Sequence, residues 1–369
     1  MQALILVGGK GTRLRPLTSR LPKPVVTLVD RPFLNYQLEW VKSHGVEDVV
    51  LSCGFLPDQL QEVLGDGSQL GLNLSYVVEP ELLGTGGALK YAEPHLQDRF
   101  FMLNGDTLTD IDLSAQLAQH ERTGARGTLA LYPVPDVYSY GLVPLNADSS
   151  VREFLEKPSP DDVVDTNLIN AGAYILEKEI LDELPASGTH FSIERDVFPK
   201  LVDHGLYGYE AYGYWMDIGT PSRYLEGTYD ILNGNVATAI GAQLSAADGC
   251  LIQDGASVEG RVVRPSIVGA GSRIAEGAIV GGLAVLGERV SVGPGAHIFD
   301  AVLLDGVSVG ARTSIGQSIV GADVTIGDNC QIHDGVVLGD GVKIGDNNEL
   351  RAGARIFPGV DIPADGIKF

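Results

Sequence analysis

With 369 residues, 44% of them hydrophobic and 20% charged, the chain is long enough for two domains with their own cores and has the composition of ordinary globular protein. Its 26 Lys and Arg against 48 Asp and Glu give a formal charge of −22, which argues against nucleic acid and against an acidic membrane surface as partners. No apolar run reaches the roughly 18 residues of a membrane span, the N-terminus reads as strand and loop rather than signal peptide, and Cys53, Cys250 and Cys330, odd in number and without a CxxC, read as reduced, buried thiols of a cytoplasmic protein.

Residues 3–7 form an apolar run, the pattern of a buried first strand, and lead into Gly8-Gly9-Lys10-Gly11-Thr12-Arg13. A helix is expected near 34–43, a strand at 48–52, a helix near 58–64 and a strand at 74–78. A helix opened by Gly84-Thr85-Gly86-Gly87 follows, then a strand at 100–103 that ends in Asn104-Gly105-Asp106. This alternation predicts an α/β, Rossmann-like doubly wound sheet, in which ligands gather at the carboxyl ends of strands. Segments 129–134, 151–155 and 171–176 read as further strands. From about Gly234 glycine recurs among small and β-branched residues, and Ile326, Ile332, Leu338, Ile344, Leu350, Ile356 and Ile362 follow one another every six residues. A six-residue apolar repeat makes one face of a parallel β-helix, and three faces of roughly 18 residues close a coil, giving about six coils. The expected organisation is a catalytic domain over 1–232, a linker over 233–250 and a β-helix over 251–369.

Three glycines in four positions allow close backbone approach to a ligand and aim N–H groups at it, and Arg13, Arg15 and Lys23 bring cations to the same loop. That is a device for a polyphosphate. It is not a P-loop, because Lys10 sits between glycines, nor a dinucleotide fingerprint, because Leu14 occupies the third glycine position.

The pattern GGxGTRLxPLT over Gly8–Thr18, followed by Pro22-Lys23-Pro24, resembles the sugar-nucleotide pyrophosphorylases. The resemblance continues through Glu79-Pro80, Leu83-Gly84-Thr85-Gly86-Gly87, Asn104-Gly105-Asp106, Tyr140-Gly141-Leu142-Val143, Phe154-Leu155-Glu156-Lys157-Pro158, Asn170-Ala171-Gly172, Ser192-Ile193-Glu194-Arg195 and Trp215-Met216-Asp217-Ile218-Gly219. Taken in this order, with the repeat behind them, the motifs look most like mannose-1-phosphate guanylyltransferases. Thymidylyl- and uridylyltransferases that act on glucose-1-phosphate share much of the set.

The resemblance implies a left-handed β-helix and an in-line attack by a sugar-1-phosphate oxygen on the α-phosphorus of an NTP, with pyrophosphate leaving. The nucleophile is already ionised at neutral pH, so no general base is needed; the task is to bring anions together. By resemblance, Leu6, Gly8, Gly9, Gly11, Thr12, Glu79, Gly84 and Thr85 bind the nucleotide, GTP in preference. Arg13 neutralises the departing pyrophosphate and Lys23 meets the α-phosphate. Asp106 and Asp217 hold Mg²⁺. Asn104, Gly141, Glu156, Lys157 and Asn170 take the hexose-1-phosphate, in a pocket shaped by Tyr140 and Trp215. A homo-oligomer built through the β-helix is expected, with neither nucleic acid nor membrane as partner. The alternatives are UTP or dTTP with glucose-1-phosphate and, in another class, a non-catalytic subunit that binds NDP-sugar. His297 and His333 read as solvated corners of the repeat rather than acyltransferase groups.

Overall fold

The structure is a computed structural model that describes residues 1–159 and 165–368. The chain divides into two compact units, Met1–Lys10 with Leu34–Trp215, and Gly11–Phe33 with Met216–Phe369. The glycine loop thus changes unit between Lys10 and Gly11.

The first unit is a nine-stranded mixed sheet. In chain order its elements are β1 (Gln2–Leu6), α1 (Phe33–Ser43), β2 (Asp48–Cys53), α2 (Pro57–Leu64), β3 (Asn73–Val78), α3 (Gly84–Ala92), β4 (Arg99–Asn104), α4 (Leu113–Thr123), β5 (Gly127–Pro133), β6 (Gly141–Leu142), β7 (Leu155–Glu156), β8 (Leu168–Glu177), α5 (Ile193–Asp196) and β9 (Leu206–Glu210). The order is β7-β6-β8-β4-β1-β2-β3, with β5 also on β8 and β9 on β5. β1 runs parallel to β2 and β4, and β2 to β3, while β8 is antiparallel to β4 and β5. Leu6 faces both Ser52 and Asn104, so the parallel strands end flush. Phe100, Met102, Leu129, Leu131, Tyr174 and Leu176 pack with Leu89 and Ala92 of α3 and Ile193 of α5 in one buried cluster.

One expected strand does not form as such. Over 151–155 only Leu155 is in a ladder strand, β7; Val151 makes an isolated bridge to Leu145. The backbone there changes partner at each step: the N–H of Val151 donates to the carbonyl of Leu206 and that of Arg152 to the carbonyl of Pro144. Val151 and Phe154 are buried and Arg152 and Glu153 exposed, a spacing of three that does not fit the two-residue period of a strand, and no single neighbour runs alongside. The spacing also gave no warning of α4, which Asp112 caps by accepting the N–H of Ala115 at 3.0 Å.

In the second unit α6 (Pro221–Asn233) is capped by Thr220 and followed by α7 (Ala239–Ala246), capped by Thr238. α7 lies inside the stretch expected to be a linker. Three parallel sheets of seven, seven and six strands follow and form the left-handed parallel β-helix. Its core is a column of aliphatic side chains that includes Val268, Ile274, Val280, Leu286, Val292, Ile298, Leu303, Val309, Ile315, Val320, Ile326, Ile332, Leu338 and Ile344. The six-residue step breaks to five at two places, Ile298 to Leu303 and Ile315 to Val320. Both fall at corners whose residues take a left-handed backbone, Asp300 (φ 47°) and Gln317 (φ 48°). Coils there close in 17 residues, Val285 facing Val302 and Val302 facing Ile319, against 18 where Thr325 faces Lys343. The shortened corner at Asp300 also accepts the Tyr229 hydroxyl of α6 on its carbonyl at 2.5 Å. Cys53, Cys250 and Cys330 are all free; Cys250, expected to be buried, is only partly covered. Among the described residues no helix is long and apolar enough to cross a membrane.

Candidate active site

In the first unit the flush ends of β1, β2, β3 and β4 put four groups in a row: Leu6 with Gly8 and Gly9, Ser52, Glu79, and Asn104 with Asp106. Glu79 is 6% exposed. Its Oε1 accepts the Ser52 hydroxyl at 3.1 Å and its Oε2 the N–H of Leu83 at 3.0 Å, just before α3. A Cβ on Gly8 would stand 3.3 Å from Glu79 Oε1, so the loop backbone and the carboxylate are neighbours. The same carboxylate and burial push the Cys53 thiol up to about 12, burial being the larger cause, which keeps the thiol protonated and inert.

The turn carrying Asp106 is braced from two sides. A Cβ on Gly105 would meet the Leu6 carbonyl oxygen at 2.6 Å, so only glycine fits against β1. Gln37 of α1, 1% exposed, donates Nε2 to the carbonyls of Asn104 and Thr107 at 2.9 and 2.7 Å. Gln37 and Ser52 escaped the sequence reading; a glutamine on an otherwise apolar helix face was the only local signal.

Gly84 and Thr85, expected at the nucleotide, are engaged with the segment 191–194. The Thr85 hydroxyl donates to Glu194 Oε2 at 2.6 Å and accepts the Ile193 N–H at 3.0 Å, and a Cβ on Gly84 would lie 2.6 Å from the Phe191 carbonyl oxygen. Ser192 caps α5 and also donates its hydroxyl to Glu194 at 2.6 Å.

The residues expected to hold the sugar phosphate also converge within this unit. Gly141 pairs with Glu156 across β6 and β7, and a Cβ there would stand 2.9 Å from Glu156 Oε2. A bulge in β8 between Asn170 and Tyr174 turns side chains off the ladder. Within it Asn170 Oδ1 accepts the Gly172 N–H at 3.0 Å and Asn170 Nδ2 donates to the Tyr174 hydroxyl at 2.8 Å. Asn104 lies against Gly172, whose Cβ would meet its Nδ2 at 2.6 Å. Tyr140 and Trp215 stack edge-to-face at 5.4 Å, and Trp215 Nε1 donates to the Ala171 carbonyl at 2.7 Å. Burial, and then the charge of Glu194, raise the Glu156 carboxyl above its ordinary range, against the pull of Lys157 and Arg195. Lys157 is exposed, with a left-handed backbone (φ 53°).

The second unit holds Gly11, Thr12, Arg13, Lys23 and Asp217. Gly11 starts the short helix Thr12–Leu14 at φ 57°. A Cβ on it would be 3.0 Å from that of Lys23, so the position combines a left-handed backbone with close packing. The Thr18 hydroxyl donates to the Gly11 carbonyl at 2.7 Å. Lys23 is 9% exposed, so it is no solvated surface lysine. Arg13 and Asp217 both lie beside Gly219, where a Cβ would stand 2.7 Å from Arg13 Nη2 and 3.1 Å from Asp217 Oδ2. α6 supports the loop through the Tyr224 hydroxyl, which donates to the Thr27 carbonyl at 2.6 Å.

Among the described residues no group of three or more His, Cys, Asp or Glu is placed to cage a metal. A hard divalent cation that keeps its waters and is shared with substrate phosphates needs only single carboxylates rather than such a cage. In the β-helix, His333 stacks on Phe299 at 5.6 Å, and burial followed by the Arg351 charge lowers its pKa.

A glycine loop after the first strand, a buried lysine with an exposed arginine on the same loop, and a mixed α/β sheet are the parts of a nucleotidyltransferase. The nucleotidyl transferase family profile matches residues 2–234 and the GMPPB C-terminal domain matches 262–365, and the chain belongs to that family. It is similar over its whole length to the mannose-1-phosphate guanylyltransferase of Mycobacterium tuberculosis, 38% identical over 373 residues, with 100% of this chain and 98% of the relative covered. The UTP–glucose-1-phosphate uridylyltransferase of Synechocystis is 30% identical over 340 residues, with 82% and 87% covered. Among solved structures, HddC from Yersinia pseudotuberculosis complexed with GMP-PN aligns with a TM-score of 0.53 at 30% identity, over 61% of this chain and 96% of that one. The chain is a sugar-nucleotide-forming enzyme that joins a nucleoside monophosphate from an NTP to a hexose-1-phosphate.

Proposed function

We propose that the chain converts GTP and mannose-1-phosphate to GDP-mannose and pyrophosphate. The observation that carries the choice of base is Glu79, a buried carboxylate beside Gly8. An ionised glutamate only accepts hydrogen bonds, and guanine offers adjacent N1–H and N2–H₂ donors. A pyrimidine carbonyl facing it would meet a group with no proton to give. Full-length similarity to the mycobacterial guanylyltransferase supports the same reading.

In this reading a sugar-phosphate oxygen forms a bond to the α-phosphorus as the bond to the β-phosphate oxygen breaks, and the leaving group is pyrophosphate. Backbone N–H groups of Gly8, Gly9, Gly11 and Thr12 receive the triphosphate, with Leu6 ending the strand below. Arg13 offsets the charge of the departing pyrophosphate, and Lys23 meets the α-phosphate, where charge builds up as the nucleophile arrives. Glu156, Asn104 and Asn170 hydrogen-bond the sugar, Gly141 lets it approach the backbone, and Lys157 takes its phosphate. Gly84 and Thr85 act by fixing the segment that carries Glu194. Asp106 and Asp217 would hold Mg²⁺. When bound, the ion neutralises phosphate charge.

We assign the catalytic domain to 1–232, the linker to 233–250 and the β-helix to 251–369, with homo-oligomer contacts on the β-helix. Three free cysteines support a cytoplasmic setting. A matrix of five NTPs against several hexose-1-phosphates, scored by pyrophosphate release with Mg²⁺, tests the reading. GTP with mannose-1-phosphate should give the highest kcat/KM. A preference for UTP or dTTP with glucose-1-phosphate, as the Synechocystis relative's name suggests, overturns it.

A further inference from the structure

The signature loop is held by a residue from the far end of the chain. The short helix Thr12–Leu14 closes with the Arg15 N–H on the Thr12 carbonyl at 3.3 Å. Continuing it would require residue 16 to donate to the Arg13 carbonyl, but residue 16 is proline and has no N–H. The Arg13 carbonyl is therefore left over at a helix end, with the Arg15 carbonyl beyond it. Arg355 supplies the missing donor: its Nη1 lies 2.9 Å from the Arg13 carbonyl oxygen and 3.0 Å from that of Arg15. Arg355 opens the β-helix strand Arg355–Ile356, where Val337 is its register partner. Ile356 packs on the aliphatic core, and by strand alternation Arg355 points outward. Loop and β-helix belong to one compact unit.

We propose that Arg355 is a positioning residue for nucleotidyl transfer: its guanidinium fixes the backbone under Arg13 and so sets the Arg13 side chain for the triphosphate. A guanidinium suits the task because it is always charged and can serve two carbonyls from one nitrogen, and a cation at the carbonyl end of a helical turn is favourable. The β-helix thereby takes part in the chemistry through one side chain, although it carries none of the groups assigned to substrate. This inference rests on the reading that Arg13 meets the NTP.

The test uses the full-length chain with Arg355→Ala, Arg355→Lys and Arg13→Ala. Arg355→Ala should lower kcat/KM for the NTP about tenfold, since small misplacements of catalytic groups reach about 10²-fold. The KM for the hexose-1-phosphate and the melting temperature should stay unchanged, because the side chain is exposed and outside the aliphatic core. Amide hydrogen exchange over residues 11–15 should accelerate, and Arg355→Lys should recover part of both effects by keeping a charged donor. Unchanged exchange in Arg355→Ala overturns the proposal, because the contact then does not hold the loop. Faster exchange with wild-type kinetics, while Arg13→Ala is impaired, overturns the positioning role and leaves the role of Arg13 standing. Wild-type kinetics in Arg13→Ala instead removes the reading of the site on which the proposal depends.

Discussion

Along the β-helix Ile326, Ile344 and Ile362 stand one above another, one coil apart, each meeting the same kind of neighbour. At the strand ends of the sheet unit Gly8, Glu79 and Asp106 occur once each, and each is braced by a different partner. The repeat spreads stability over many equivalent positions, whereas the site concentrates function in single ones. Substitutions of similar energetic size should therefore be read out by different instruments in the two regions: folding in one, turnover in the other.

The largest expected effects make that contrast directly. If Asp217 and Asp106 hold the metal as proposed, Asp217→Asn and Asp106→Asn should each remove about 3 kcal/mol of transition-state stabilisation, roughly 10²-fold in kcat, by deleting a hard ligand at a phosphoryl centre. Melting temperature should barely change. Ile332→Ala, at a fully buried core position of the β-helix, should cost a similar free energy of folding, about 2–5 kcal/mol, with kcat of the folded protein unchanged. Urea unfolding and steady-state rates on all three variants settle the matter. Near-wild-type turnover of both aspartate variants in saturating Mg²⁺ would break their assignment.

Next in size is Glu79→Gln, expected to lower kcat/KM for GTP by about 1–3 kcal/mol and to narrow its gap to UTP and dTTP, by analogy with bidentate base contacts. The fold should tolerate the change. The amide oxygen can accept the Leu83 N–H, and the amide nitrogen can donate to the Ser52 hydroxyl, which is free to rotate into the accepting role. Removing the negative charge should also bring the Cys53 thiol down from about 12, a check that the side chain still sits in place. An unchanged GTP:dTTP ratio would sink the role of Glu79 in choosing the base.

A smaller effect sharpens the comparison at glycine. Gly219→Ala places a methyl 2.7 Å from Arg13 Nη2, and the mobile end of an arginine can yield without unfolding anything. Activity should fall about tenfold through displaced Arg13, with little loss of stability. Gly341→Ala in the β-helix meets nothing within 4 Å but has φ 66°, so it should cost about 1–2 kcal/mol of stability and no activity. The same readout from both glycines would mean that Gly219 is merely structural.

These pairs also explain what the sequence could reveal. The strand ends were legible because glycines and charges cluster locally after each apolar run. The six-residue step was clear from Ile326 onward, where coils close in 18 residues. It was blurred before that because the corners at Asp300 and Gln317 drop one residue each. The extra strand expected over 151–155 failed because apolar composition does not record whether one neighbour runs alongside, and the buried Val151 and Phe154 stand three apart rather than two. Gln37 had only its place on an apolar helix face as a signal, and Arg355 had none. Their partners lie 67 and 342 positions away, and a long-range side-chain bond to a backbone carbonyl leaves no local pattern.

The smallest predicted effect concerns pH. Glu156 is held above the ordinary glutamate range by burial first and by the Glu194 charge second. A carboxyl whose folded pKa is raised contributes stability that is fully present below its unfolded value, about 4.3, and is lost as pH rises through the folded value. Above that window the ionised form is a net cost to the fold. Glu156→Gln has no charge to desolvate and should therefore melt slightly higher than wild type at pH 7, by less than about 1 kcal/mol once solvent screening is allowed for. The advantage should shrink on acidification and vanish near pH 4, where both side chains are neutral. If Glu156 hydrogen-bonds the hexose, the same variant should also raise the KM for mannose-1-phosphate while leaving that for GTP unchanged. Melting curves at pH 4, 5.5 and 7 beside the two KM values separate the possibilities. A stabilised variant with an unaltered sugar KM would keep the electrostatics and remove Glu156 from the sugar site. A variant with no gain at pH 7 would mean that solvent reaches the carboxylate freely.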